Sequence, residues 1–79
     1  MKITIKVHGT LTRYLSDYDH EKGLELEFPD NADAAALIDY LGIPRSKVGL
    51  VSINGQQASA GDPLPDQAVV KVFQPIFGG

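Results

Sequence analysis

Lys2 to Val7 alternates strictly, with Ile3, Ile5 and Val7 on one face and Lys2, Thr4 and Lys6 on the other. Period two with β-branched residues predicts a half-buried strand. Gly23 to Phe28 repeats the pattern, setting Leu24, Leu26 and Phe28 against Glu25 and Glu27. One polar face is rich in lysine and the other in glutamate. Opposite charges across antiparallel neighbours are favourable, so the two strands are expected to pair. The stretch between them is too long for a tight hairpin. Within it, Leu11, Tyr14 and Leu15 have the i, i+3, i+4 spacing of a short helical turn, and Ser16 to Lys22 reads as exposed polar loop.

The clearest helical signal follows. Ala34, Leu37, Ile38 and Leu41 form one apolar stripe at i, i+3, i+4, i+7. Asp30 or Asn31 is expected to cap it through a side-chain oxygen. Gly42 suits the left-handed residue that ends a helix, Ile43 can pack back on the last turn, and Pro44 prevents continuation. Val48 to Ile53 is apolar and reads as a buried strand. Asn54-Gly55 is the preferred pair for a tight type I′ turn, so a short return strand is expected around Gln57-Ala58. Gly61 to Asp66 is turn chemistry with Leu64 as its buried anchor. Ala68 to Phe73 reads as the last strand, with Val70 and Val72 inward and Val69, Lys71 and Phe73 outward. Gln74 to Gly79 has no periodic pattern and reads as a flexible tail. The whole, residues 1–79, is predicted to be a single α+β domain in which one main helix packs on one mixed sheet.

Composition narrows the functions open to such a domain. At 79 residues it buries about 60–65% of the surface its unfolded chain exposes, enough for one modest core without a deep pocket. Seven Lys and Arg against ten Asp and Glu leave a net charge of −3. That balance argues against a nucleic-acid backbone or an anionic membrane as partner. With no cysteine, disulfides, thiolate metal sites and cysteine nucleophiles are excluded. Met1 to Ile5 alternates and is not read as a signal peptide, and no apolar run approaches a membrane span. A cytoplasmic location is expected.

Enzyme chemistry finds little support. His8 ends a strand and His20 sits in the polar loop, and neither has a partner at ligand spacing, so both read as solvated or structural. Asp17, Asp19 and Glu21 alternate in that loop, but the glycine and distal glutamate of a calcium loop are missing. No metal site, phosphate loop or nucleophile–base pair is expected, and no bound cofactor. The terminal pair Gly78-Gly79 remains. A frayed end that happens to be glycine is the plain reading. Against it stand the short path from the last strand and the apolar residues Pro75-Ile76-Phe77 just before the pair. A terminal carboxylate is ionised at neutral pH, with an ordinary pKa of about 3.3–3.7. Once adenylated it becomes an acyl donor. Glycine, lacking Cβ, can thread a narrow tunnel in any backbone conformation. Fully extended, Gln74 to Gly79 reaches about 20 Å.

Three segments together resemble the MoaD/ThiS family of ubiquitin-like sulfur carriers: Val51-Ser52-Ile53-Asn54-Gly55, Asp62-Pro63-Leu64-Pro65-Asp66, and Val70 through Gly79. Leu41-Gly42-Ile43-Pro44 followed by Val48 to Val51 strengthens the likeness to MoaD. The resemblance implies a β-grasp fold. It implies that Gly79 is adenylated with ATP by a ubiquitin-activating-type enzyme and converted to a thiocarboxylate, with Gly78 beside it. It further implies insertion of the tail into a large subunit of molybdopterin synthase, the chain itself being a carrier rather than an enzyme. Phe73 and Pro75 match residues at the family's partner interface, and Ile76 and Phe77 would extend that apolar patch. The chain departs from the family in having Phe77 before the glycines and Gln67-Ala68 where Gly-Asp is common. Sulfur delivery to thiamine, cysteine or tRNA, conjugation of Gly79 to a target lysine, and an inert binding module are the competing readings.

Overall fold

Alternation divides every strand between a buried and an open face. In a computed structural model describing residues 1–16 and 18–75, the first strand, β1 (Lys2–Val7), buries Ile3, Ile5 and Val7 and leaves Lys2, Thr4 and Lys6 outside. Its partner β2 (Leu24–Glu27) runs antiparallel, with Lys2 opposite Glu27 and Thr4 opposite Glu25. The expected charge pairing is present, as Lys2 Nζ lies 3.4 Å from a Glu25 carboxylate oxygen. A 3-10 helix, Gly9–Tyr14, occupies the long connection and buries Leu11.

The helix α1 (Ala34–Leu41) buries Ala34, Leu37, Ile38 and Leu41, the four residues of the predicted stripe. Gly42 ends it at φ 76°, and the Ile43 N–H donates to the Ile38 carbonyl at 3.3 Å, the closing bond of a Schellman cap. The N-terminal cap differs from expectation. Asp33, not Asp30 or Asn31, accepts the Ala36 N–H at 2.8 Å. Asn31 is in the left-handed region at φ 69°, which turns the chain before the helix starts, and Asp30 instead accepts from the Met1 amine at 3.1 Å.

The remaining strands are β3 (Leu50–Ile53), β4 (Gln56–Ala58) and β5 (Val69–Phe73), in the sheet order β2-β1-β5-β3-β4. β1 and β5 are parallel and all other pairs antiparallel, giving the mixed sheet. Asn54 (φ 52°) and Gly55 (φ 84°) both have the positive φ that a type I′ turn requires. Val70 and Val72 are fully buried, and Leu64 anchors its loop in the core. Val48 to Ile53 is not one buried strand. Its first two residues precede the ladder, following a 3-10 turn at Arg45–Lys47, and Leu50 is 40% exposed. Apolar composition alone did not reveal that β3 has an open face. The core unites the inner faces of β1, β3 and β5 with α1, Leu11, Phe28, Ile43 and Leu64.

Gln67 adopts φ 61° just before β5, with its N–H donating to the Lys2 carbonyl at 2.7 Å. A side chain there meets the left-handed penalty that glycine avoids. Gln67→Gly is therefore expected to stabilise the fold by about 0.5–1 kcal/mol after the entropy that glycine adds to the unfolded chain. Urea denaturation checks this: the midpoint should rise with an unchanged slope.

Candidate functional site

β5 leads directly into residues 74–79, so whatever fixes the end of β5 aims the tail. Gln74 is held by its side chain. Its Oε1 accepts from the Thr10 N–H at 2.8 Å and the Thr10 hydroxyl at 2.7 Å. Gly9, at φ 67°, lies so close that an added Cβ would fall 2.5 Å from Gln74 Oε1. At Pro75 it is the backbone that makes the close approach. It crosses Gly49, where a Cβ would stand 2.5 Å from the Pro75 Cα, while the Gly49 N–H donates to the Phe73 carbonyl at 2.8 Å. Two glycines on different elements thus permit the close approach that fixes Gln74 and Pro75. Ile76, Phe77, Gly78 and Gly79 lie outside the described residues.

Two depressions flank this tail root. On the open sheet face, His8, Gly9, Gly49, Leu50, Phe73, Gln74 and Pro75 line a groove of about 600 Å³. Phe73 points outward as predicted and stacks on the His8 imidazole, with centroids 4.5 Å apart and planes 7° from parallel. Leu50 stands opposite Phe73 in the β3–β5 register. On the other side, Thr10, Arg13, Tyr14, Ser46 and Lys47 join Gln74 and Pro75 around a recess of about 350 Å³.

Supports outside the site set its position. The Val7 N–H donates to the Tyr18 hydroxyl at 2.9 Å, which ties the long loop to the end of β1 beside His8. Tyr18 also meets His20 edge to face. Arg45 grips Asp39 with Nε at 3.0 Å and Nη2 at 2.6 Å, a bidentate pair linking α1 to the 3-10 turn that leads to Gly49. Hydrogen bonding from Arg45, reinforced by its charge, holds the Asp39 carboxyl below the usual aspartate value. Asp19 is likewise lowered, by the backbone N–H groups of Lys22 and Glu21, and its carboxylate thus serves its own loop. Asp17 lies outside the described residues. Sequence reasoning missed Gln74, Thr10 and Gly49 as site residues. A glycine in a predicted strand is a signal of close backbone approach, and Gly49 carried it.

The sequence profile of the ThiS family matches residues 11–79. The chain belongs to the ThiS family. No curated protein matches it significantly by sequence. Among solved structures, SAMP1 from Haloferax volcanii is 16% identical, with all of both chains covered and a TM-score of 0.73. A putative molybdopterin converting factor, subunit 1, from Pyrococcus furiosus is 21% identical. It covers 95% of this chain and 98% of its own, at a TM-score of 0.71. At these identities the likeness establishes the fold, which is the β-grasp. This ThiS-family protein is thus of the small sulfur-carrier type. No helix among its described residues is long and apolar enough to cross a membrane.

Two outcomes test the geometry. Gly49→Ala should displace Pro75, seen as amide shift changes at Phe73, Gln74 and Thr10, with chemical shifts in α1 unchanged. For the Asp39–Arg45 pair, the folded pKa is depressed, so its contribution is present above the ordinary value of 3.8 and lost as pH falls through the lowered one. An NMR titration of the Asp39 carboxyl should have its midpoint below 3.8, and Arg45→Met should return it towards that value.

Proposed function

We propose that this protein is a sulfur carrier for molybdopterin (molybdenum or tungsten cofactor) biosynthesis, with the Gly79 carboxylate as its reactive group. The observation that supports this most is the fixed tail root. Gln74 and Pro75 are clamped at the end of a central strand, beside an apolar groove on an otherwise open sheet face. From Pro75, the four residues to Gly79 reach about 13 Å when extended. A partner seated on the groove would receive Gly79 at that depth in its active site. The fold supplies the docking surface and the aim, and the partner enzyme supplies the catalysis.

In this reading a Gly79 carboxylate oxygen attacks the α-phosphorus of ATP on a ubiquitin-activating-type enzyme, and pyrophosphate leaves. A sulfide-level donor then adds to the acyl carbon and expels AMP, leaving a thiocarboxylate at Gly79. The tail next enters a molybdopterin-synthase-type large subunit and gives up its sulfur to the pterin precursor. Gly78 and Gly79 offer no Cβ to obstruct either tunnel. In this reading Phe73, Pro75, Ile76 and Phe77 form the apolar contact with the partners. The nearest described feature to a catalytic group, His8, is stacked on Phe73 and belongs to that contact surface.

The full-length likeness to SAMP1, a small archaeal modifier protein, favours one alternative. There the same activated Gly79 is attacked by a lysine amine and an isopeptide bond forms. Intact-mass measurement with the activating enzyme, ATP and a sulfur source decides between them. A single exchange of oxygen for sulfur at Gly79 is expected, and removal of Gly78-Gly79 should abolish it. Gly79 found only in isopeptide linkage to lysine would replace the carrier reading with the modifier one.

A further inference from the structure

Asn54 serves two ends at the corner where β3 turns into β4. Antiparallel residues in a hydrogen-bonded pair exchange two backbone bonds. One step beyond the pairing of Ile53 with Val70, Asn54 and Val69 make the first of these, from the Asn54 N–H to the Val69 carbonyl at 2.9 Å. The returning bond is different. The Val69 N–H donates at 2.8 Å to Oδ1 of the Asn54 side chain, not to its backbone carbonyl. At φ 52° the Asn54 backbone has already left the strand for the type I′ turn. Its carboxamide oxygen therefore stands in for the carbonyl that the turn carried away, and the β3–β5 ladder gains a rung at its open end.

The same carboxamide is chemically exposed to its neighbour. In an Asn-Gly pair the glycine nitrogen can attack the asparagine side chain, because no Cβ shields that nitrogen. A bond forms between the Gly55 nitrogen and Asn54 Cγ, the Cγ–Nδ2 bond breaks, and ammonia leaves with the proton that the Gly55 nitrogen loses. Water then opens the cyclic imide. Attack at Cγ restores the ordinary backbone with aspartate at position 54. Attack at the Asn54 main-chain carbonyl carbon routes the backbone through the side chain and leaves isoaspartate. Asn54 and Gly55 are both exposed, and a Cβ built at Gly55 would meet nothing within 4 Å, so no packing shields the turn. Protection comes from the rung. β5 and β4 lie on opposite flanks of β3. The Val69 N–H holds the carboxamide on the β5 flank, while the chain passes through Gly55 to the β4 flank, where Gln56 pairs with Ile53. Closure requires the carboxamide to leave Val69 and turn to the Gly55 nitrogen.

We propose that Asn54 is a latent deamidation site, kept silent by the Val69 rung and released when this end of the β3–β5 ladder opens. Local opening of this kind costs less at the end of a ladder than at its centre. The two products then diverge. Aspartate keeps an acceptor for the Val69 N–H, strengthened by its charge. Isoaspartate inserts a methylene into the backbone of a two-residue turn, and the register that the turn fixes is lost. The strand affected is β5, which leads into Gln74 and Pro75. Each opening that ends in isoaspartate thus marks the chain irreversibly and weakens the strand on which the tail root stands. None of this depends on what Gly79 carries.

The test follows deamidation of the full-length chain in mildly alkaline buffer, folded and in urea, by mass, with aspartyl and isoaspartyl peptides separated by chromatography. The folded chain is expected to react at least about tenfold more slowly, the factor that one net hydrogen bond supplies. In urea too dilute to unfold the protein, the rate should rise in step with hydrogen exchange of the Val69 amide. Val69→Pro removes the donor at the first residue of β5, where proline is tolerated, and should speed the folded reaction about fivefold. If circular dichroism shows that variant unfolded, the comparison with Val69 exchange in the unaltered chain decides. Asn54→Asp should keep the urea midpoint near that of the parent, and the purified isoaspartyl chain should have a lower one. Equal rates in the folded and unfolded chain, a folded rate that ignores Val69 exchange, or an isoaspartyl chain as stable as its parent would each overturn the proposal.

Discussion

β5 is pinned between β1 and β3, and Gln74 and Pro75 follow directly from its end. That single placement governs the rest. A central strand has ladder partners on both sides, so it is among the last elements to open. Its inner residues, Val70 and Val72, are fully buried, while Lys71 and Phe73 must face outward by alternation. Gln74 and the Phe73 side of the groove are consequently carried by one strand. Moving one without the other would require breaking the middle of the sheet.

The clamps at Gln74 and Pro75 extend this constraint two residues past the ladder. Thr10 comes from the 3-10 helix after β1, and Gly49 from the segment before β3, so both neighbours of β5 contribute. Neither clamp needs a large energy. Their effect is to fix the course of the chain at Gln74 and Pro75, which lowers the ordering cost of any contact made there. At Gly49 glycine is required by space, because an added Cβ would fall 2.5 Å from the Pro75 Cα, and at Gly9 it is favoured by the positive φ of 67°.

The local patterns were legible wherever a face of an element decides burial. The stripe of α1, the alternation of β1 and β5, the Asn54-Gly55 turn and the Gly42 exit all follow from spacing within a few residues. The missed features depend on distant partners. Thr10 and Gln74 are 64 residues apart in sequence, and nothing local to either names the other. The cap went to Asp33 because the Met1 amine engages Asp30 and Asn31 turns left-handed, both consequences of how β1 returns beside the helix start. Leu50 looked buried because it is apolar, although its register opposite Phe73 puts it on the open face. The Gly78-Gly79 pair that suggested the site was visible in the sequence, whereas the groove and clamps were not.

The open face shows what the fold would look like were stability its only demand. At the β1–β2 end the same chain sets lysine against glutamate and closes an ion pair. At the tail end it sets lysine against lysine and leaves Leu50, Phe73 and His8 on the surface. A glutamate at position 71 would have paired with Lys6, and a polar residue at 50 would have removed an exposed apolar side chain, with no change of backbone. Local rules are broken in a protein mainly where function opposes them. Here Leu50, Phe73 and His8 line one groove together with Gln74 and Pro75, while the inner face of the same strands is apolar and buried. The asymmetry between the two faces of one sheet is thus physical grounds, separate from family likeness, for locating the working surface beside the tail.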